Sequence, residues 1–145
     1  MRIDGLQDTL SLRPLPEPDN ASRHYWQSAA DGRLVVQRCL SCGEYQFYPR
    51  ALCAACAGAM EWVHVSGRGT LYTYTIIRQN RSSAFAELVP YAVGMVELEE
   101  GVRMMSNIVD CDVERLGVGM ALEILLLKAA VDVGLPFWRP VAEPM

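Results

Sequence analysis

The sequence predicts a mainly β chain in which a short helix and a metal-stapled ribbon precede a small closed barrel. Three observations carry this. Four of the five cysteines fall in two tight pairs, Cys39–Cys42 and Cys53–Cys56, each after a short apolar or aromatic run. From Thr70 onward the chain becomes dense in β-branched and aromatic residues, broken by turn-forming glycines. Four or five strands in that stretch favour closure, because a barrel leaves no exposed sheet edge.

The first twenty residues carry Pro14, Pro16 and Pro18 among several aspartates and read as an extended arm, ordered only if something covers it. Asn20 or Ser22 is placed to cap a helix over 23–30, which Asp31-Gly32 would end. Tyr25, Trp26 and Ala29 would share its apolar side. A strand over 34–38 then runs into the first cysteine pair, an aromatic extended stretch over 44–50 into the second, and Trp62 to Val65 follows. A metal knuckle after each of two short strands is the layout of a zinc ribbon.

In Cys39-Leu40-Ser41-Cys42 and Cys53-Ala54-Ala55-Cys56, two residues between thiols let one tight turn present both sulfurs to one ion. Two such turns supply four thiolates in a tetrahedron, which suits zinc, although iron takes the same ligands. Gly43 follows Cys42 where a knuckle needs a positive φ. Four protein ligands leave no coordination position for water, so Cys39, Cys42, Cys53 and Cys56 are expected to hold a structural Zn2+. A reducing compartment disfavours disulfides and points the pairs toward metal. Cys111 stands alone and reads as a small buried hydrophobe. A nucleophile would need a base, and His24 and His64 sit in no recognisable catalytic pattern.

In the barrel half, Thr70 to Gln79 reads as a strand with Leu71, Thr73, Thr75 and Ile77 on one face and Tyr72, Tyr74 and Ile76 on the other. Residues 80–89 read as a loop, 91–98 as a second strand, Glu99-Glu100-Gly101 as a hairpin turn and 102–109 as a third strand. Residues 110–119 form a connector, 120–128 a fourth strand, and the chain runs out in a tail containing Leu135-Pro136-Phe137-Trp138-Arg139-Pro140. The expected division is 1–33 for arm and helix, 34–66 for the ribbon and 67–145 for the barrel with its tail.

Composition narrows the function. The net charge is −4, with 51% hydrophobic and 21% charged residues, so the chain has a core to bury and does not read as disordered. Residues 67–145 hold seven Lys/Arg against ten acids, where a groove that tracks a nucleic-acid strand should be basic. No run approaches the roughly 20 apolar residues of a membrane span, and the N-terminus has no apolar signal core, so a cytoplasmic location without a membrane partner is expected.

Read together, these segments resemble a known family of zinc-ribbon plus OB-fold proteins associated with acyl-CoA enzymes. The resemblance rests on Tyr25-Trp26, Gly32-Arg33-Leu34, Arg38-Cys39, Cys42-Gly43, Pro49-Arg50 and Cys53-x-x-Cys56. It continues through Ser66-Gly67-Arg68-Gly69-Thr70-Leu71-Tyr72, Pro90-Tyr91, Val96-Glu97-Leu98, Asn107-Ile108-Val109-Asp110 and the closing Leu135 to Pro140 motif. It covers roughly residues 14–140. It implies a rubredoxin-like ribbon followed by an OB-fold barrel. It also implies a non-catalytic accessory subunit that stabilises a thiolase-like acyl-CoA enzyme (a thiolase, acyltransferase or retro-aldolase) or an acyl-CoA hydratase in a hetero-oligomer, and that helps form the CoA channel. The partner would supply the catalytic residues. The alternative is a single-stranded nucleic-acid-binding module, since ribbons and OB barrels also serve that role; the acidic barrel argues against it. For the accessory reading, Arg78 and Arg81 are the candidate contacts to acyl-CoA. They sit in the most cationic and donor-rich short stretch of the barrel half, and arginine pairs bidentately with phosphate.

Overall fold

The computed structural model describes residues 1–142. Two helices, α1 (Ile3–Thr9) and α2 (Arg23–Ala30), precede a three-stranded antiparallel sheet of β1 (Val35–Cys39), β2 (Tyr45–Gln46) and β3 (Met60–His64) in the order β2-β1-β3. Five longer strands follow: β4 (Arg68–Ile77), β5 (Tyr91–Leu98), β6 (Arg103–Ile108), β7 (Ala121–Ala130) and β8 (Val133–Pro140). They close in the order β4-β5-β6-β8-β7, with β6 and β8 parallel at Ile108 and Trp138. This is a five-stranded OB-type barrel. Leu71, Val96, Met104, Ile108, Leu122 and Trp138 are almost fully buried in its core.

The N-terminal arm departs from the expectation of an extended chain. Residues 3–9 are helical and a 3-10 turn spans Leu10–Leu12; only the stretch after Arg13 keeps the extended form its prolines impose. The barrel covers it. Leu6 is fully buried, the Ile3 N–H donates to Asp110 Oδ1 at 2.9 Å, and the Asp110 N–H donates to the Met1 carbonyl. The Arg13 guanidinium lies 4.8 Å from the Phe85 ring centroid, which ties the arm to the loop after β4.

Ser22 is the N-cap of α2, but its hydroxyl donates to Asp19 Oδ1 at 2.7 Å and makes no cap bond to the helix. Gly32 ends the helix with φ +83°, as expected. Helix α2 presses directly on β8. A Cβ on Gly134 would collide with the Ala29 carbonyl carbon and the Ala30 nitrogen, so only glycine permits this approach. That contact fixes the helix and the ribbon behind it against the barrel.

The alternation expected along β4 fails at its centre. Leu71 pairs with Val96 and Thr73 with Met95, so Tyr72 is an extra residue in a β-bulge. Beyond the bulge the faces exchange. Tyr74 and Ile76 pack toward the core, while Thr73 and Thr75 are exposed. The Tyr74 hydroxyl donates to the Leu116 carbonyl at 2.9 Å. The expected tail is also a strand. Residues 133–140 form β8, paired along β7 from Ala130↔Val133 to Leu122↔Pro140, and supply the strand that closes the barrel. Residues 143–145, the end of that expected tail, lie outside the described residues.

Candidate metal centre

The two cysteine turns are built alike. In the first, the Cys39 N–H donates to the Glu44 carbonyl, the Gly43 N–H to the Cys39 carbonyl, and the Ser41 N–H to Cys39 Sγ at 3.3 Å. In the second, the Cys53 N–H donates to the Gly58 carbonyl, the Ala57 N–H to the Cys53 carbonyl, and the Ala55 N–H to Cys53 Sγ at 3.4 Å. Each turn reverses through a left-handed residue after its second cysteine: Gly43 at φ +75° and Ala57 at φ +61°. The glycine was legible in sequence; the alanine in the same role was not, because its side chain disfavours that conformation.

These turns bring four sulfurs together, all within 4.8 Å of one another. Cys39 Sγ lies 3.5 Å from Cys56 Sγ, and Cys42 Sγ 3.7 Å from Cys53 Sγ. Four thiolates about 2.3 Å from one zinc lie about 3.8 Å apart, so the cluster has the dimensions of a tetrahedral four-sulfur site. Burial and the crowded neighbouring sulfurs push the Cys42 and Cys56 thiols up, while the Cys42 backbone N–H, supported by that of Ser41, holds the Cys39 thiol down. Such donors favour the thiolate that a metal requires. Cys39 and Cys53 are buried, while Cys42 and Cys56 face solvent.

Two glutamines that the sequence reading passed over hold the second turn in place. Gln37 on β1 is buried; its Nε2 donates to the Arg50 carbonyl at 2.7 Å and its Oε1 accepts from the Arg50 N–H at 2.8 Å. Gln46 on β2 donates to Gln37 Oε1 and to the Leu52 carbonyl and accepts from the Ala54 N–H. A polar residue in an otherwise buried strand, Val35-Val36-Gln37, was the available clue.

Cys111 stands apart from the cluster. Its Sγ donates to the Asp112 carbonyl at 3.3 Å, and burial pushes its thiol up, which does not activate a nucleophile. His24 packs against Trp62 with ring centroids 5.0 Å apart and planes tilted by 45°. Arg78 and Arg81 are both exposed beyond the end of β4; Arg78 Nη2 pairs with Glu114 Oε1 at 2.8 Å. Acids also pair with Arg68, Arg103 and Arg139, through Glu99, Glu97 and Glu123. Four of the seven Lys/Arg side chains in the barrel half are thus paired with its own acids. Among the described residues no helix is long and apolar enough to cross a membrane.

A short helix, a four-cysteine ribbon and an OB barrel in one chain define a two-module zinc-ribbon/OB-fold protein. Residues 26–61 match the ChsH2 rubredoxin-like zinc ribbon domain, and residues 62–126 match the ChsH2 C-terminal OB-fold domain. The chain is 37% identical over 97 residues to a DUF35 domain-containing scaffold protein of Methanothermobacter thermautotrophicus, covering 66% of this chain and 72% of that protein. It belongs to this DUF35 family, in which a zinc ribbon precedes an OB fold.

It is also 32% identical over 136 residues to a probable enoyl-CoA hydratase alpha subunit of Thermomonospora curvata, covering 92% of this chain and 42% of that protein. The 3-oxo-4,17-pregnadiene-20-carboxyl-CoA hydratase alpha subunit of Mycobacterium tuberculosis is 28% identical over 138 residues, 94% of this chain and 42% of that protein. The chain therefore spans about two fifths of the length of these hydratase subunits. Among solved structures, a chain of the Ltp2-ChsH2(DUF35) aldolase superimposes with a TM-score of 0.77 at 30% identity, covering 86% of this chain and 98% of that one. A DUF35 protein of unknown function from Sulfolobus solfataricus shares the fold, with a TM-score of 0.62 at 13% identity.

Proposed function

We propose that this chain is a zinc-binding, non-catalytic accessory subunit of an acyl-CoA-processing enzyme. In this reading it stabilises a thiolase-like or hydratase partner and contributes one wall of its CoA channel. The observation that carries the reading is the likeness to the ChsH2(DUF35) chain of an aldolase. That likeness runs over 98% of the other chain, ribbon and barrel together, and the family is shared with hydratase alpha subunits. The barrel's internally paired cations and the unactivated Cys111 thiol agree with it.

Zinc held by Cys39, Cys42, Cys53 and Cys56 would close the ribbon and leave no position for a substrate. Its role in this reading is to hold β1, β2 and the second turn as one rigid body. Arg78 and Arg81 would meet the CoA phosphates once the partner is bound. The Arg78–Glu114 pair is solvent-exposed, so exchanging Glu114 for a phosphate costs little.

Affinity purification of the tagged chain from its native cell tests the reading. A thiolase-like enzyme or acyl-CoA hydratase should co-elute in stoichiometric amount, and the purified chain alone should leave acyl-CoA thioesters intact. Elution without such an enzyme, elution with bound nucleic acid, or turnover by the chain alone that Cys111→Ala removes would overturn it.

A further inference from the structure

A cavity of about 410 Å³ opens between the ribbon and the barrel. Helix α2 and the segment after β2 contribute Tyr25, Trp26 and Tyr48, and the barrel contributes Met95, Met104 and Met105. Its volume falls in the range of small-molecule sites, and aromatic and thioether walls suit an apolar occupant. The Trp26 indole N–H donates to the Tyr48 hydroxyl at 3.3 Å, so these two polar groups are already engaged. The Tyr25 hydroxyl is not. The residue is 1% exposed, and its hydroxyl has no hydrogen-bond partner among the described residues. Tyr25 is itself a lining residue of the cavity, which it shares with methionines, the most adaptable of apolar groups. At the rim, Arg103 is held by Glu97 at 2.9 Å and stacks over Tyr72 at 3.7 Å, so the mouth carries no free charge.

The cavity is not isolated. Cross-strand register places Thr73, Met95 and Met105 in one row on the outer face of β4, β5 and β6. Met95 and Met105 also line a shallower groove of about 260 Å³ that continues past Thr73 and Thr75. The outer face thus runs from threonine to apolar. Met105 is 67% exposed on a barrel face where a charged or polar residue is the norm.

We infer that the cavity between ribbon and barrel takes the acyl group of an acyl thioester, which lies along the outer face of β4–β6 and places an oxygen of the acyl group against the Tyr25 hydroxyl. The identity of the ligand rests on the accessory-subunit reading; the site rests on the cavity and the unpartnered hydroxyl.

The test uses the zinc-loaded full chain carrying ¹³C-methyl methionine, titrated with octanoyl-CoA and, separately, with CoA. The seven methionines give separate reporters inside and outside the site. Octanoyl-CoA should shift the Met95, Met104 and Met105 methyl signals saturably and leave those of Met60 and Met120 in place. CoA alone should not move the first three. Tyr25→Phe should weaken octanoyl-CoA binding about two- to tenfold, the loss of one neutral hydrogen bond. Met105→Glu, on the surface and outside the core, should abolish the shifts while the Met60 and Met120 signals report an intact fold. Shifts produced equally by CoA, shifts that persist in Met105→Glu, or no shift at millimolar octanoyl-CoA would each overturn the assignment. Co-elution with a partner is read without any ligand, so the accessory reading stands or falls separately.

Discussion

The side-chain amide of Gln37 grips the backbone of Arg50 from both sides, donating to its carbonyl at 2.7 Å and accepting from its N–H at 2.8 Å. This pair does what a strand would do for the irregular segment before the second cysteine turn, and it sets Cys53 opposite Cys42. Gln37→Leu keeps the volume but leaves both Arg50 groups without their partner. It should destabilise the zinc-loaded protein by on the order of 2 kcal/mol, read by denaturant unfolding, and should speed zinc loss to a chelator.

The metal makes the sharpest prediction. The native protein should hold about one zinc per chain by elemental analysis, and Cys39→Ser or Cys56→Ser should lose it and unfold the ribbon. Metal binding requires thiolates, so affinity should fall as pH drops, because protons then compete for the four sulfurs. A chelator titration at pH 8 and pH 5 reads this directly. Equal affinity at the two values would remove the thiolates from the site.

Ala57 adopts φ +61° where the first turn has Gly43. Ala57→Gly relieves that strain at little loss elsewhere and should stabilise the ribbon by about 1 kcal/mol, whereas Gly43→Ala should destabilise it by a similar amount. Thermal unfolding of the two variants, side by side with the parent, measures the opposite signs.

Gly134 lets the α2 backbone rest on β8. Gly134→Ala drives a methyl into the Ala29–Ala30 peptide and should cost about 3 kcal/mol, with the helix shifting away from the barrel. Gly101→Ala is the control for replacing a glycine as such, since a Cβ there meets nothing within 4 Å, although its φ of +93° makes some cost unavoidable.

In the complex with the partner enzyme, Arg81→Ala should raise the apparent KM for acyl-CoA about ten- to a hundredfold, the loss of one charge-assisted hydrogen bond. Arg78→Ala should have a comparable effect, because leaving the solvent-exposed Glu114 pair costs little. Complex formation should be unchanged in both. Unaltered KM in both variants would make the loop a simple connector.

What the sequence by itself determined is local. Each cysteine turn is complete within six residues, from Cys39 to Glu44 and from Cys53 to Gly58, so its hydrogen bonds and ligand spacing are written in adjacent positions. The order of helix, ribbon and barrel was legible for the same reason: runs of β-branched residues and turn glycines need no distant partner to be recognised. Only the tertiary structure decided the rest. The bulge at Tyr72 appears when β4 is laid against β5, and it turns Tyr74 inward and Thr73 outward. Pro136 and Pro140 argue against a strand until β7 and β6 flank it, with the Pro136 carbonyl accepting from Ser106 Oγ. The N-terminal arm becomes a helix because Asp110, 107 residues away from Ile3, holds its first turn. Arg78 finds Glu114 across 36 residues in the same way. Register, closure and charge pairing depend on contacts between distant residues, and a linear pattern records only what each residue offers to such a contact.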